Sequence, residues 1–382
     1  MRHILAVVSL TLLAGCGWFT REDPATKPAE LTDFAPALEF KRVWSAGAGK
    51  GGGDLARKLV PTVEDGTVYV AGREGRVTAF DAETGNRQWR TDTGLRASAG
   101  PGVGGGVAVV GGLDGTLIAL DAASGQEIWR APVSSEVLSV PAISRNRVVV
   151  RCIDGRVFGF NRDTGERQWI FNQTVPLLTL RGTSDPVIRA GQVILGMDNG
   201  EVVALDLSDG SQIWEQNIGD QEGSTELERL ADADGRVAVV ATEVYAASYG
   251  GNLVGLSLGS GEGVWSREMS SWQGVAARRT QLFVTDESSN VWSLDRRNGN
   301  SLWKQDVLLN RQLSTPAVMG DRVLVGDFDG YVHVLDGETG NLLARTRVGG
   351  GPVDVAPNVV GNRVYTLTRG GDLRAYRLES RD

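Results

Sequence analysis

The chain has 382 residues, 41% of them hydrophobic, and a formal net charge of -8. That acidic balance argues against nucleic acid or an anionic membrane surface as the principal partner. With two cysteines and two histidines in the whole sequence, neither a disulfide framework nor a histidine-based zinc site can be assembled.

The N-terminus carries Arg2, then an apolar run from Ile4 to Leu13 broken only by Ser9 and Thr11, then Ala14 and Gly15. Residues 1–15 read as a signal peptide, shorter than the roughly 20 apolar residues a transmembrane helix needs. Leu13, Ala14, Gly15 and Cys16 together resemble the lipobox of bacterial lipoproteins, which implies that Cys16 is lipidated and becomes the new N-terminus. The alternative is a conventional cleavage site, but no A-x-A-like pattern is evident. In the sorting pattern of those lipoproteins an Asp after the cysteine favours the inner membrane; Gly17 stands here, which implies the outer membrane, periplasmic side. Residues 16–38 mix charges with Pro24, Pro28 and Pro36 and predict a tether. Residues 39–382 are expected to form one domain. Cys152 ends the strand-like run VVVRC, which suits a buried small hydrophobe.

Internal repetition decides the architecture. The stretch at residues 75–89, GRVTAFDAETGNRQW, recurs at 115–129, 155–169, 200–214, 251–265 and 289–303, the last opening with Ser; the copy at 330–344 lacks only the Trp. The copies alternate in character for four to six residues, turn through Asp-x-x-Thr/Ser-Gly, as at Asp81, Asp121 and Asp336, or a variant of it, and run into a second short stretch that ends in Trp in all but the last, as a β-hairpin does. The Asp bonds the backbone ahead of it and the Gly takes a left-handed conformation. A second hairpin lies upstream, giving four short strands per period. Trp44, Trp89, Trp129, Trp169, Trp214, Trp265 and Trp303 are spaced by 38 to 51 residues, the period of a propeller blade.

Residues 371–376 start an eighth copy that stops before its Trp, and Val43 with Trp44 supplies the missing strand. The predicted fold is therefore all-β: an eight-bladed β-propeller of four-stranded antiparallel blades, closed by an N-terminal strand completing the C-terminal blade. Ala79, Ala119, Gly159, Ala204, Gly255, Ser293 and Ala375, four residues into the copies, are small and are expected to make room for a neighbouring blade's Trp; Val334 is the exception.

Function in a repeat scaffold is sought where the period is broken. From Trp89 to Pro101 and from Trp129 to Pro141 is 12 residues, and from Trp303 to Pro316 is 13; Trp169 to Pro186 is 17 and Trp214 to Val237 is 23. Two adjacent blades thus carry enlarged connections on one face, residues 175–185 (VPLLTLRGTSD) and 224–234 (STELERLADAD). Leu178 and Leu180 beside Arg181 fit a protein-docking hot spot, or fold back over the blade edge; Asp232 and Asp234 are either docking groups or caps of a turn before Gly235. Residues 47–52 match G-x-G-x-x-G, but they open no helix, and a loop is the better reading.

The repeats, the lipobox and the stretches 178–182 and 223–234 together resemble the BamB family, propeller lipoproteins of the outer-membrane β-barrel assembly machinery. The resemblance covers nearly the whole chain and implies a non-enzymatic scaffold facing the periplasm. It further implies that Leu178, Leu180, Arg181, Asp232 and Asp234 dock the POTRA domains of BamA, with other subunits of the complex engaged indirectly. Unfolded strands of client barrels pairing with outer blade edges are a further expectation. The rival is a pyrroloquinoline-quinone dehydrogenase, whose blade motif is similar; adjacent cysteines and a long substrate cap are missing here. His333 lies in an alternating strand pattern and reads as structural, not as part of a catalytic triad. No cofactor is expected, while calcium on scattered carboxylates stays open.

Overall fold

The computed structural model describes residues 27–53, 58–176, 178–179, 184–219 and 232–381. These form eight sheets arranged as a closed β-propeller. Blade 1 shows the plan: Thr62–Glu64, Thr67–Ala71, Arg76–Asp81 and Arg87–Asp92 pair antiparallel from the central channel outward. Blade 8 takes Asn358–Val360, Arg363–Leu367 and Asp372–Ser380 from the C-terminus, and its outer strand Leu38–Gly47 from the N-terminus. That closure runs from Leu38 opposite Ser380 to Gly47 opposite Asp372, as the truncated eighth copy requires. Blade 2 gains a fifth, parallel strand, Lys58–Leu59 beside Ala99 and Gly100, supplied by the first connection.

The core lies between blades. One cluster joins Tyr69, Ala79 and Trp89 of blade 1 to Ala108, Val110 and Ile118 of blade 2. The ladder tryptophans bind it by a repeated device. The Trp89 indole Nε1 donates to the Ala122 carbonyl at 2.9 Å, in the turn of the next blade, while the ring lies against Gly125 of that turn. Gly125 has φ +71°, and a Cβ there would meet the Trp89 ring at 2.4 Å, so two independent demands select glycine. The same bond joins Trp44 to Ala82, Trp129 to Arg162, Trp169 to Leu207, Trp214 to Leu258, Trp265 to Arg296 and Trp303 to Gly337.

The small residues serve a different neighbour from the one expected. Ala79 lies directly opposite Trp89 of its own blade, Ala119 opposite Trp129, Gly159 opposite Trp169 and Ala204 opposite Trp214. At Gly159 a Cβ would fall 2.1 Å from the Trp169 ring. Each therefore makes room for its own blade's indole, which can then lean across to the next blade's turn.

Residues 27–37 also depart from the sequence reading, which gave them to the tether. They lie along the ring: the Ala29 amide donates to the Leu309 carbonyl at 2.9 Å, Arg311 donates to the Ala29 carbonyl and Arg345 to the Thr32 carbonyl. Leu31 packs against the buried cluster that includes Leu308, Leu313 and Leu335, and the backbone groups bonded in this way no longer need water.

Candidate protein-docking face

Strands alternate in direction, so every connection from an outer strand to the next inner strand lies on one face, and the Asp-x-x-Thr/Ser-Gly turns lie on the other. Inner strands open with Pro61, Pro141, Pro186, Pro316 and Pro357, which line a central channel of about 1130 Å³. Proline fits there because an inner strand's free edge faces the channel and needs no further N–H donor.

The two enlarged connections stand side by side on the connection face. Leu178 is 43% exposed, an aliphatic side chain held out to solvent. Leu180, Arg181 and Cys16 lie outside the described residues. The end of the first connection is fixed: the Val140 amide donates to Asp185 at 2.8 Å, Lys58 pairs with the same carboxylate at 3.4 Å, and the buried Ser184 hydroxyl donates to the Gly235 carbonyl at 3.1 Å. Ser184 thereby ties the end of the first connection to the end of the second.

Asp232 and Asp234 are not surface groups, at 0% and 6% exposed. The fully buried Arg151 donates to Asp198 at 2.5 Å and to Asp234 at 3.3 Å. Burial pushes the Asp234 carboxyl up to about 8; Arg151 opposes this and the neighbouring Asp198 reinforces it. The Arg151 guanidinium is itself opposed by burial, but the two carboxylates hold its pKa above the usual value. A direct contact through either aspartate is therefore corrected to a structural one. They lie at the base of the second connection, Asp232 through its backbone carbonyl and Asp234 through its carboxyl, and burying Asp234 beside Asp198 is tolerable because the Arg151 guanidinium bridges those two.

Sequence reasoning missed the third member of this surface. The Tyr249 amide donates to the Asp232 carbonyl at 2.8 Å, and the Tyr249 ring packs against Trp272 with centroids 6.0 Å apart and planes tilted by 40°. Trp272 belongs to the next connection, is 40% exposed, and stands near the exposed Arg236 at the channel mouth. The Val275 amide closes the stitch on the Arg236 carbonyl at 2.9 Å. Trp272 sits outside the ladder period, and that displacement was the available signal.

His333 is fully buried, its Nε2 3.0 Å from Asp327, which also accepts from Arg311 at 2.8 Å. Burial holds the imidazole below its ordinary pKa, with Asp327 acting in the opposite sense. His333 and Asp327 are both fully shielded from solvent. Among the described residues no group of three or more His, Cys, Asp and Glu is placed to hold a metal ion.

A ring of blades, seven of their eight joints fastened by a ladder Trp, with three stitched connections holding an exposed aromatic and an exposed leucine on one face, has the architecture of a scaffold. The chain matches the family described as outer membrane protein assembly factor BamB, over residues 41–97, 73–305 and 299–382. It is 50% identical over 377 residues to the outer membrane protein assembly factor BamB of Alkalilimnicola ehrlichii, covering 99% of this chain and 97% of that one. The crystal structure of BamB from Moraxella catarrhalis superposes with a TM-score of 0.81 at 29% identity, over 89% of this chain and all of that one. The quinohemoprotein alcohol dehydrogenase of Comamonas testosteroni gives 0.71 at 16% identity, over 90% of this chain and 76% of that one, a likeness of fold alone. The chain belongs to the BamB family of outer membrane protein assembly factors, and its role is not enzymatic.

Proposed function

We propose that this chain is a scaffold that docks the periplasmic POTRA domains of BamA, holding them in an orientation that favours insertion of barrel proteins into the outer membrane. Lipid attached at Cys16 tethers it to the periplasmic side of that membrane. The observation that carries the reading is the stitched base beneath the two enlarged connections. Ser184, Asp232, Asp234 and Tyr249 fix the ends of both connections, so the platform on which they stand is preorganised.

In this reading Leu178, Leu180 and Arg181 touch the partner, whereas Asp232 and Asp234 act by holding the platform. The test is affinity purification of the lipidated protein from detergent-solubilised outer membranes. Wild type is compared with a folded Leu178→Ala, Leu180→Ala, Arg181→Ala variant. Recovery of BamA with wild type and its loss with the variant is expected. Recovery with both would move the interface elsewhere, and recovery with neither would overturn the scaffold reading.

A further inference from the structure

The segment before the first strand crosses the ring from one face to the other. At one end, Ala29 donates to Leu309 and Asn310 donates to the Lys27 carbonyl at 3.2 Å, both in the connection from blade 6 to blade 7. That connection lies on the same face as Leu178 and Trp272. Further along, Arg345 of blade 7's outer strand donates to Thr32 at 3.2 Å and lies over the Phe34 ring at 5.5 Å. At the other end Arg381 donates to the Ala37 carbonyl and Leu38 pairs with Ser380, on the face of the Asp-x-x-Thr/Ser-Gly turns.

From these contacts we infer that residues 27–34 are a docked strap that brings the tether out on the connection face and turns that face towards the membrane. The inference rests on the proposed lipid anchor at Cys16. With the strap docked, 11 residues separate Cys16 from Lys27, a reach of at most about 40 Å. Were it undocked as far as Leu38, 22 residues would reach about 80 Å and would leave from the opposite face. The strap thus halves the leash and decides which face the leash pulls on. A partner held at Leu178 and Trp272 then lies on the membrane side of the ring.

The strap is part of this chain, and its chemistry fits where it docks. Leu31 packs against the buried cluster that includes Leu308 and Leu313, and the strap's carbonyls meet the guanidinium groups of Arg311 and Arg345. Arg311 is itself fixed by buried Asp327, so the strap docks on a preorganised donor.

The experiment uses the full lipidated chain in vesicles of phosphatidylethanolamine and phosphatidylglycerol. A donor fluorophore is placed at Glu287→Cys on the connection face or at Ser260→Cys on the turn face, with an energy acceptor on the lipid headgroups. Cys152 does not compete for the label, because burial pushes its thiol up to about 12. Greater transfer from position 287 than from 260 is expected, and loss of that difference in a Leu31→Ser, Phe34→Ser strap variant. Equal transfer, or greater transfer from 260, in wild type overturns the inference.

Hydrogen exchange at the Ala29 amide separates the two readings. Slowed exchange in detergent, lost in the strap variant, is expected whether or not Cys16 carries lipid. Exchange at the unprotected rate overturns the strap itself. Protection without vesicle binding would overturn the Cys16 anchor and leave the strap in place.

Discussion

Val334 stands opposite Ala344 on adjacent strands of blade 7, where the other blades pair a small residue with Trp. Small and large have been exchanged together. The reason lies in the next blade: a ladder Trp needs a turn between the third and fourth strands of its neighbour, and blade 8 draws those strands from opposite ends of the chain. No turn carbonyl waits there, and Leu38, Phe40 and Tyr376 pack in that region instead.

Ala344→Trp is accordingly expected to destabilise the protein by about 1–3 kcal/mol through overpacking against Val334. Adding Val334→Ala should recover only part of this, because the indole N–H still lacks an acceptor. Denaturant midpoints for both single variants and the double variant measure the coupling. Full recovery would refute the turn argument.

Arg151 bridges Asp198 and Asp234 with no exposure to solvent, and Arg151→Met leaves the buried Asp198 and Asp234 carboxyl groups without their cation. A loss of about 3–5 kcal/mol is expected. A loss below 1 kcal/mol in chemical denaturation would mean that the carboxylates relax to solvent and pin nothing.

The Asp234 carboxyl gives a pH signature. Folded, it keeps its proton up to about 8; unfolded, it releases it near 3.8. Its contribution is therefore fully present below about 3.8 and is lost as pH rises through about 8. Asp234→Asn cannot titrate, so the stability of wild type minus that of the variant should fall steadily across this window. A difference independent of pH would show that burial does not control this group.

Trp272→Ala should weaken retention of the partner at least as much as Leu178→Ala, by about 2 kcal/mol for an interface aromatic of this kind. The thermal midpoint should barely move, because the ring is 40% exposed. Unchanged partner binding by titration would remove Trp272 from the docking surface.

Much of this was legible in the sequence because the repeat is a local pattern. Turn Asp and Gly, the ladder Trp and the incomplete eighth copy specify blades, their number and their closure. The burial of Asp234 was not legible, since it depends on Arg151, 83 residues away, and that of Asp232 follows from a backbone bond to Tyr249 that no side-chain pattern records. Arg151 did leave a trace: in strand register it occupies the place held by Ala71, Gly196, Ala247 and Gly326 in other blades. A large cation where the repeat wants a small residue points to buried carboxylates. The strap escaped because its prolines and charges have the composition of a linker, and its docking comes from acceptor carbonyls, which every residue type carries.

The closing pair of strands also governs when the molecule is finished. Leu38–Gly47 is made before blades 1 to 7 and must wait for Asp372–Ser380, made after them. Until then the ring is a seven-bladed arc with two open strand edges, the state most exposed to aggregation and proteolysis. A chain broken off at Gly371 lacks the partner strand and cannot fasten. The clasp therefore acts as an inspection, passed only by copies that carry both of its strands.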